Sequence, residues 1–128
     1  KPREDILMIR EVLVIEDDRF IGEMYVRSLQ LGGYNVDWAV DGNDGSVMAR
    51  NKAYDLILID IMLPEKRGGE IIKELRENNA IGQNTKVLFM TNFQHSGKEK
   101  EELLKIADGY FVKSEIVPRK LLEMIERL

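Results

Sequence analysis

Five side chains able to handle a metal ion or a phosphorus centre recur along the chain: Glu16, Asp17, Asp60, Thr91 and Lys113. Each lies at the end of an apolar run: "EVLVIEDD" (11–18), "DLILID" (55–60), "TKVLFMTN" (85–92) and "GYFVK" (109–113). Carboxylates brought to one spot repel and raise one another's pKa values unless a cation sits among them. Hard oxygen donors with room for water favour Mg2+. A lysine can hold a negative oxygen, and a threonine hydroxyl can donate to another. Together they fit a phosphoryl group carried on a carboxylate, its oxygens neutralised by metal, ammonium and hydroxyl. Singly, each residue has an ordinary explanation. Asp18 reads as the N-cap of a helix starting at Arg19. Asp60 could be a turn residue, Thr91 a loop hydroxyl and Lys113 a solvated charge. Their order at four strand ends makes the set a candidate site.

The elements that must position them alternate. The four runs above and the weaker "YNVDWAV" (34–40) are rich in branched and aromatic residues and read as five strands. Between them lie helical patterns. Residues 19–31 carry Phe20, Ile21, Met24, Leu29 and Leu31 on one broad face, stopped by Gly32-Gly33. Residues 43–52 carry Val47, Met48 and Ala49, with Gly45 and Ser46 weakening the pattern. Residues 69–78 carry Ile71, Ile72 and Leu75, while 97–107 turn apolar only at Leu103, Leu104 and Ile106. Residues 118–128 open on Pro118 and set Leu121, Leu122, Ile125 and Leu128 toward a core. Strict strand–helix alternation implies an α/β fold, a parallel sheet with helices on both faces. Ligands of such sheets bind beyond the carboxyl ends of the strands.

With 128 residues, one domain is expected: a short mixed-charge lead-in over 1–10 and the domain proper over 11–128. The stretch "ILMI" (6–9) has the make-up of a small extra strand or a packing segment, and no element is assigned to it. A net charge of −4 argues against direct nucleic-acid binding by phosphate neutralisation. The absence of cysteine removes disulfides, thiolate chemistry and zinc–thiolate sites. No stretch reads as a membrane span or signal peptide, so a cytoplasmic protein is expected.

The motifs "VLVIEDD", "DLILIDIMLP" followed by Gly68, "VLFMT", and "GYFVK" followed by "PRKLL" resemble the receiver domain of bacterial two-component response regulators. The likeness covers about residues 11–128. It implies a single doubly wound (βα)5 flavodoxin-like domain with strand order 2-1-3-4-5. Asp60 would accept a phosphoryl group from the phosphohistidine of a sensor histidine kinase or phosphotransfer protein. Mg2+ would be held by Asp17, by Asp60, by Glu16 through water and by the backbone carbonyl of Met62. Thr91 and Lys113 would hold the phosphoryl oxygens. Tyr110 matches the switch aromatic that follows Thr91, and the surface of helix four, strand five and helix five would be the output. Such a switch catalyses its own phosphorylation and dephosphorylation rather than turning over a substrate. The "PRKLL" stretch resembles receivers that dimerise through that same surface.

Some positions depart from the pattern. Ser114 follows Lys113 where the family commonly has proline after a cis bond, which before serine costs about 2.5–4 kcal/mol. Asn92 stands where a small residue is usual and would narrow access to Asp60. Lys66 and Arg67 form a basic loop, read as solvated. Met62 and Phe93, each two residues beyond Asp60 and Thr91, cannot orient an attacking water, so self-dephosphorylation should be slow. His95 reads as an exposed loop residue and Trp38 as packing. The main rival is a pseudo-receiver, the same fold acting as an unphosphorylated interaction module. A Mg2+-dependent phosphohydrolase would want an acid at Met62, and a flavin-mononucleotide module would want hydroxyl and glycine donors in the first loop. Both a stand-alone receiver and a piece of a longer regulator fit the sequence.

Overall fold

A computed structural model describes residues 9–94 and 96–128. Residues 6–8 of the "ILMI" stretch and His95 lie outside the described residues. The strands are β1 (Glu11–Ile15), β2 (Asn35–Ala39), β3 (Leu56–Asp60), β4 (Lys86–Thr91) and β5 (Gly109–Val112). The helices are α1 (Arg19–Leu31), α2 (Gly42–Asn51), α3 (Gly68–Glu77), α4 (Gly97–Ile106) and α5 (Pro118–Glu126). All strand pairs are parallel, in the expected order β2-β1-β3-β4-β5.

Two apolar layers explain why the central strands lack alternation. Leu13, Ile15, Ile57, Ile59, Val87 and Phe89 face a cluster completed by Ala49, Ile71, Ile72 and Leu75 from α2 and α3. The intervening residues Val12, Val14, Leu56, Leu58, Leu88 and Met90 face Tyr25 and Leu29 of α1 and Leu121 and Ile125 of α5. Every residue of Leu56–Ile59 is fully buried, each contributing ~2 kcal/mol relative to exposure. A slip of one residue would exchange the two layers along the whole strand, so the position of Asp60 at its end is fixed by packing.

Helix ends follow local rules. The Asp18 side chain accepts from the Ile21 amide at 2.9 Å, the N-cap expected from sequence. Gly33 takes φ +97° after the end of α1, a conformation that favours glycine. Pro118 opens α5.

The apolar face expected for α1 is only partly right. Tyr25 and Leu29 are buried, with Gly22 between Ile21 and Tyr25 against the sheet, whereas Phe20 is 83% and Leu31 84% exposed and Met24 is also exposed. Residues 21, 25 and 29 form one stripe at helical spacing, and 20, 24 and 31 form a neighbouring one that faces solvent. Val47 and Leu104 are likewise exposed, and no residue of α4 is fully buried. In α5, Leu121 and Ile125 are buried, while Leu122, and Leu128 just beyond the helix, pack half-buried against the same cluster. No cis peptide bond occurs among the described residues, and Lys113–Glu115 form a 3-10 turn.

Candidate functional site: an acidic pocket bridged by lysine

Strand order reverses between β1 and β3, and the crevice beyond their carboxyl ends is where an open parallel sheet receives ligands. Glu16 follows β1 directly, Asp60 ends β3, Thr91 ends β4 and Lys113 follows β5. Glu16, Asp60 and Thr91 are buried, while Asp17 is exposed at the mouth. One carboxylate oxygen from each of Glu16, Asp17 and Asp60 lies within 4.8 Å of the others.

Lys113 reaches into this group from the far side. Its Nζ lies 2.7 Å from Asp60 Oδ2 and 2.6 Å from Glu16 Oε1. The other Asp60 oxygen, Oδ1, accepts from the Met62 amide at 2.9 Å. Glu16 Oε2 accepts from the Asp18 amide at 3.0 Å. Burial pushes the Glu16 carboxyl above its ordinary range, although Lys113 and the Asp18 amide pull the other way. Burial works against the Lys113 ammonium, but its contacts with Asp60 and Glu16 outweigh that and raise its pKa. Glu16, Asp60 and Lys113 therefore form an acid-rich, buried floor with one fixed cation, open to solvent at Asp17.

The donor set suits a hard divalent ion: three carboxylates, no nitrogen or sulfur ligand, and a solvent-facing Asp17 that leaves room for water. Met62 contributes its amide to Asp60, and its side chain is 47% exposed. Thr91 Oγ1 accepts from the Phe93 amide at 3.2 Å. Tyr110 donates its hydroxyl to Gln94 Oε1 at 3.2 Å, and Gln94 Nε2 donates to Glu115 Oε1 at 3.0 Å. These bonds tie the loop after β4 to β5 and to the turn that begins at Lys113. A groove of about 730 Å³ runs beside them, lined in part by Tyr110, Phe111, Ile116 and Met124.

Lys66 pairs with Glu74 at 2.6 Å, so this half of the basic loop is engaged with α3 rather than with the pocket. Three contributors were not singled out as site residues from sequence. Gly68 is one, because a Cβ there would stand 2.3 Å from the Asp60 carbonyl oxygen, so only glycine lets α3 approach that strand end. Tyr25 is another: its buried hydroxyl lies in the field of Lys113, Glu16 and Asp60, and burial pushes its pKa up to about 12. Trp38 is the third, since its indole Nε1 donates to the Glu16 carbonyl at 3.0 Å. For Gly68 the signal was its place after the "DLILIDIMLP" motif; Trp38 read only as packing, and Tyr25 was not among the residues the helical pattern picked out.

Comparison with known proteins identifies the family that carries this fold. Residues 12–126 match the family model described as response regulator receiver domain. The chain is 37% identical over 102 residues to the transcriptional regulatory protein DltR of Streptococcus agalactiae, covering 80% of this chain and 44% of that one. It is 34% identical over 117 residues to the transcriptional regulatory protein QseB of Escherichia coli O157:H7, covering 91% and 50%. The chain thus spans about half the length of the curated relatives it matches. Among solved structures, the chemotaxis response regulator CheY4 of Vibrio cholerae superposes with a TM-score of 0.83 at 30% identity, covering 94% of this chain and 98% of that one. No helix among the described residues is long and apolar enough to cross a membrane. The chain belongs to the response regulator receiver domain family of two-component signalling.

Proposed function

We propose that this receiver is a phosphorylation-controlled switch in which Asp60 takes a phosphoryl group from the phosphohistidine of a histidine kinase or phosphotransfer protein. The observation that carries the reading is the Lys113 ammonium, 2.7 Å from Asp60 and 2.6 Å from Glu16 inside an otherwise acidic pocket. Mg2+, held by Asp17, Asp60, Glu16 through water and the Met62 carbonyl, would supply positive charge to the phosphoryl oxygens.

In the transfer step an Asp60 carboxylate oxygen attacks phosphorus, the P–N bond to the donor imidazole breaks, and the imidazole leaves with its electron pair. Oδ1 is oriented by a neutral amide, whereas Oδ2 is held by a side chain that can move. Lys113 exchanges its contact with Oδ2 for a phosphoryl oxygen, keeping its charge paired throughout. The Thr91 hydroxyl donates to another phosphoryl oxygen. Drawing Thr91 inward moves the loop that carries Gln94, which releases Tyr110 from its hydrogen bond and alters the groove beside α4, β5 and α5. That surface is the output, and a second copy of the chain docking there is the dimer the reading favours. The response is a population shift biased by new charge rather than a one-way push. The pseudo-receiver alternative gains no support from a pocket that retains all five groups.

The test is intact mass after incubation with acetyl phosphate, with and without Mg2+, for the native chain and Asp60→Asn. One labile phosphoryl adduct that needs Mg2+ and disappears in the variant is expected. No adduct on the native chain would sink the reading.

A further inference from the structure

The loop that joins β1 to α1 supplies two of the three clustered acids, and nearly every group in it is tied down. The Glu16 amide donates to the Ala39 carbonyl at 3.0 Å, continuing the sheet by one bond. The Asp18 amide donates to Glu16 Oε2, and the Asp18 side chain caps α1. The peptide between Glu16 and Asp17 is fixed from outside the loop, by the indole of Trp38 on β2. That indole lies against α1 at Gly22. A Cβ at Gly22 would stand 2.3 Å from Trp38 Cζ2 and 2.8 Å from Nε1, so any larger residue would displace the ring and its N–H. Gly22 sits inside a 13-residue helix, where glycine is intrinsically unfavourable. A helix-weakening residue and a large aromatic donor thus fit together around one carbonyl.

We infer that Trp38 is a positioning residue for the cation pocket, holding the Glu16–Asp17 peptide plane so that both carboxylates leave the backbone in ligating directions. The inference rests on the metal reading proposed above. A small divalent ion that demands regular octahedral geometry tolerates little error in where its carboxylates start, so groups that orient ligands control affinity. An unheld peptide at this point could rotate and carry Asp17 away from Asp60.

The chain has a single tryptophan, which makes a one-atom test practical. Protein from a tryptophan auxotroph fed benzothienylalanine carries sulfur in place of the indole N–H, at position 38 alone. Mg2+ affinity is measured by titration calorimetry for the native chain, the sulfur analogue and Trp38→Phe, with the urea midpoint of each taken without metal. Expected is a Mg2+ dissociation constant raised roughly threefold to tenfold in both altered proteins, the range of one lost hydrogen bond. The midpoint of the metal-free analogue should fall by no more than that one lost bond, and weaker Mg2+ binding by an analogue that is still folded is a readout that a purely structural role would not move. An analogue that binds Mg2+ within about twofold of the native chain overturns the inference and leaves the metal reading intact. Weakening in Trp38→Phe alone assigns the effect to packing and also overturns it. Absence of Mg2+ binding by the native chain overturns the metal reading and this inference with it.

Discussion

Lys113 and Lys52 each stand between two carboxylates, one beyond the carboxyl ends of the strands and the other reaching Glu11 at the first residue of β1. Lys113 lies 2.6 and 2.7 Å from its acids, Lys52 3.0 Å from both Glu11 and Asp37. Side-chain exposure separates them: 8% for Lys113 with 0% and 4% for its partners, against 45% for Lys52 with 31% and 39%. In the exposed cluster both acids are held below their ordinary values, Glu11 by the Asn35 amide and then Lys52, Asp37 by the Tyr54 hydroxyl and then Lys52. In the buried cluster Glu16 is pushed up by burial despite the same kind of partner. Two carboxylates about one lysine are therefore a solvated clamp at the surface and, once buried and joined by Asp17 as a third acid, a desolvated pocket with more negative than positive charge. Water decides the difference. A pocket left short of positive charge is suited to accept a divalent ion and then to trade its lysine contact.

Removing each lysine should expose this contrast most strongly. Lys113→Met leaves two buried carboxylates facing each other and should cost about 3 kcal/mol in metal-free urea unfolding, with much of the loss recovered on adding Mg2+. Recovery in Mg2+ but not in an equal ionic strength of NaCl would sharpen the comparison; equal sensitivity of the Lys52 and Lys113 variants would break it. The chemistry offers the next largest effect. Met62 and Phe93 border the pocket with exposed apolar side chains, so Met62→Asn combined with Phe93→Glu should shorten the lifetime of the phosphorylated protein by at least about tenfold. An unchanged or longer lifetime after donor removal contradicts the apolar-border explanation.

Smaller effects belong to the exposed cluster. Lys52→Met should shift the urea midpoint only slightly, and the shift should vanish at about 1 M salt, where screening extends only about 3 Å. A shift that persists in salt would mean that Lys52 acts by packing on the Tyr54 ring, 5.3 Å below its ammonium. Asp37 provides the pH test. Its native pKa lies below the unfolded one, so its stabilisation is present above about pH 4 and is lost as pH falls through the lowered native value. Asp37→Asn should flatten that part of the acid limb and leave stability insensitive to this group; an unaltered limb contradicts the assignment.

Much of this was legible in sequence because it rests on local patterns. Unbroken apolar runs marked strands buried on both faces, Asp18 marked the start of α1, and acids at the strand ends marked the rim. Periodicity failed where a helix carries two apolar stripes: 20, 24 and 31 are spaced as well as 21, 25 and 29, and only the sheet decides which stripe it covers. Leu104 shows the same limit on a helix that lies shallowly on the sheet. Trp38 was legible as a packed aromatic but not as a donor, because its acceptor is a backbone carbonyl 22 residues earlier. The trans linkage between Lys113 and Ser114, inside the turn that begins at Lys113, settles the departure from the family's proline at that position.

The most direct measurement maps where the phosphoryl group is carried. Borohydride reduces an acyl phosphate to an alcohol, so treatment after Mg2+ and acetyl phosphate, followed by peptide mass spectrometry, identifies the residue. Conversion of Asp60 to homoserine, only when both reagents are present, is the expected result. A reduced side chain at Glu16 or Asp17 instead, or no reduced residue in a protein that binds Mg2+, would contradict the proposed switch.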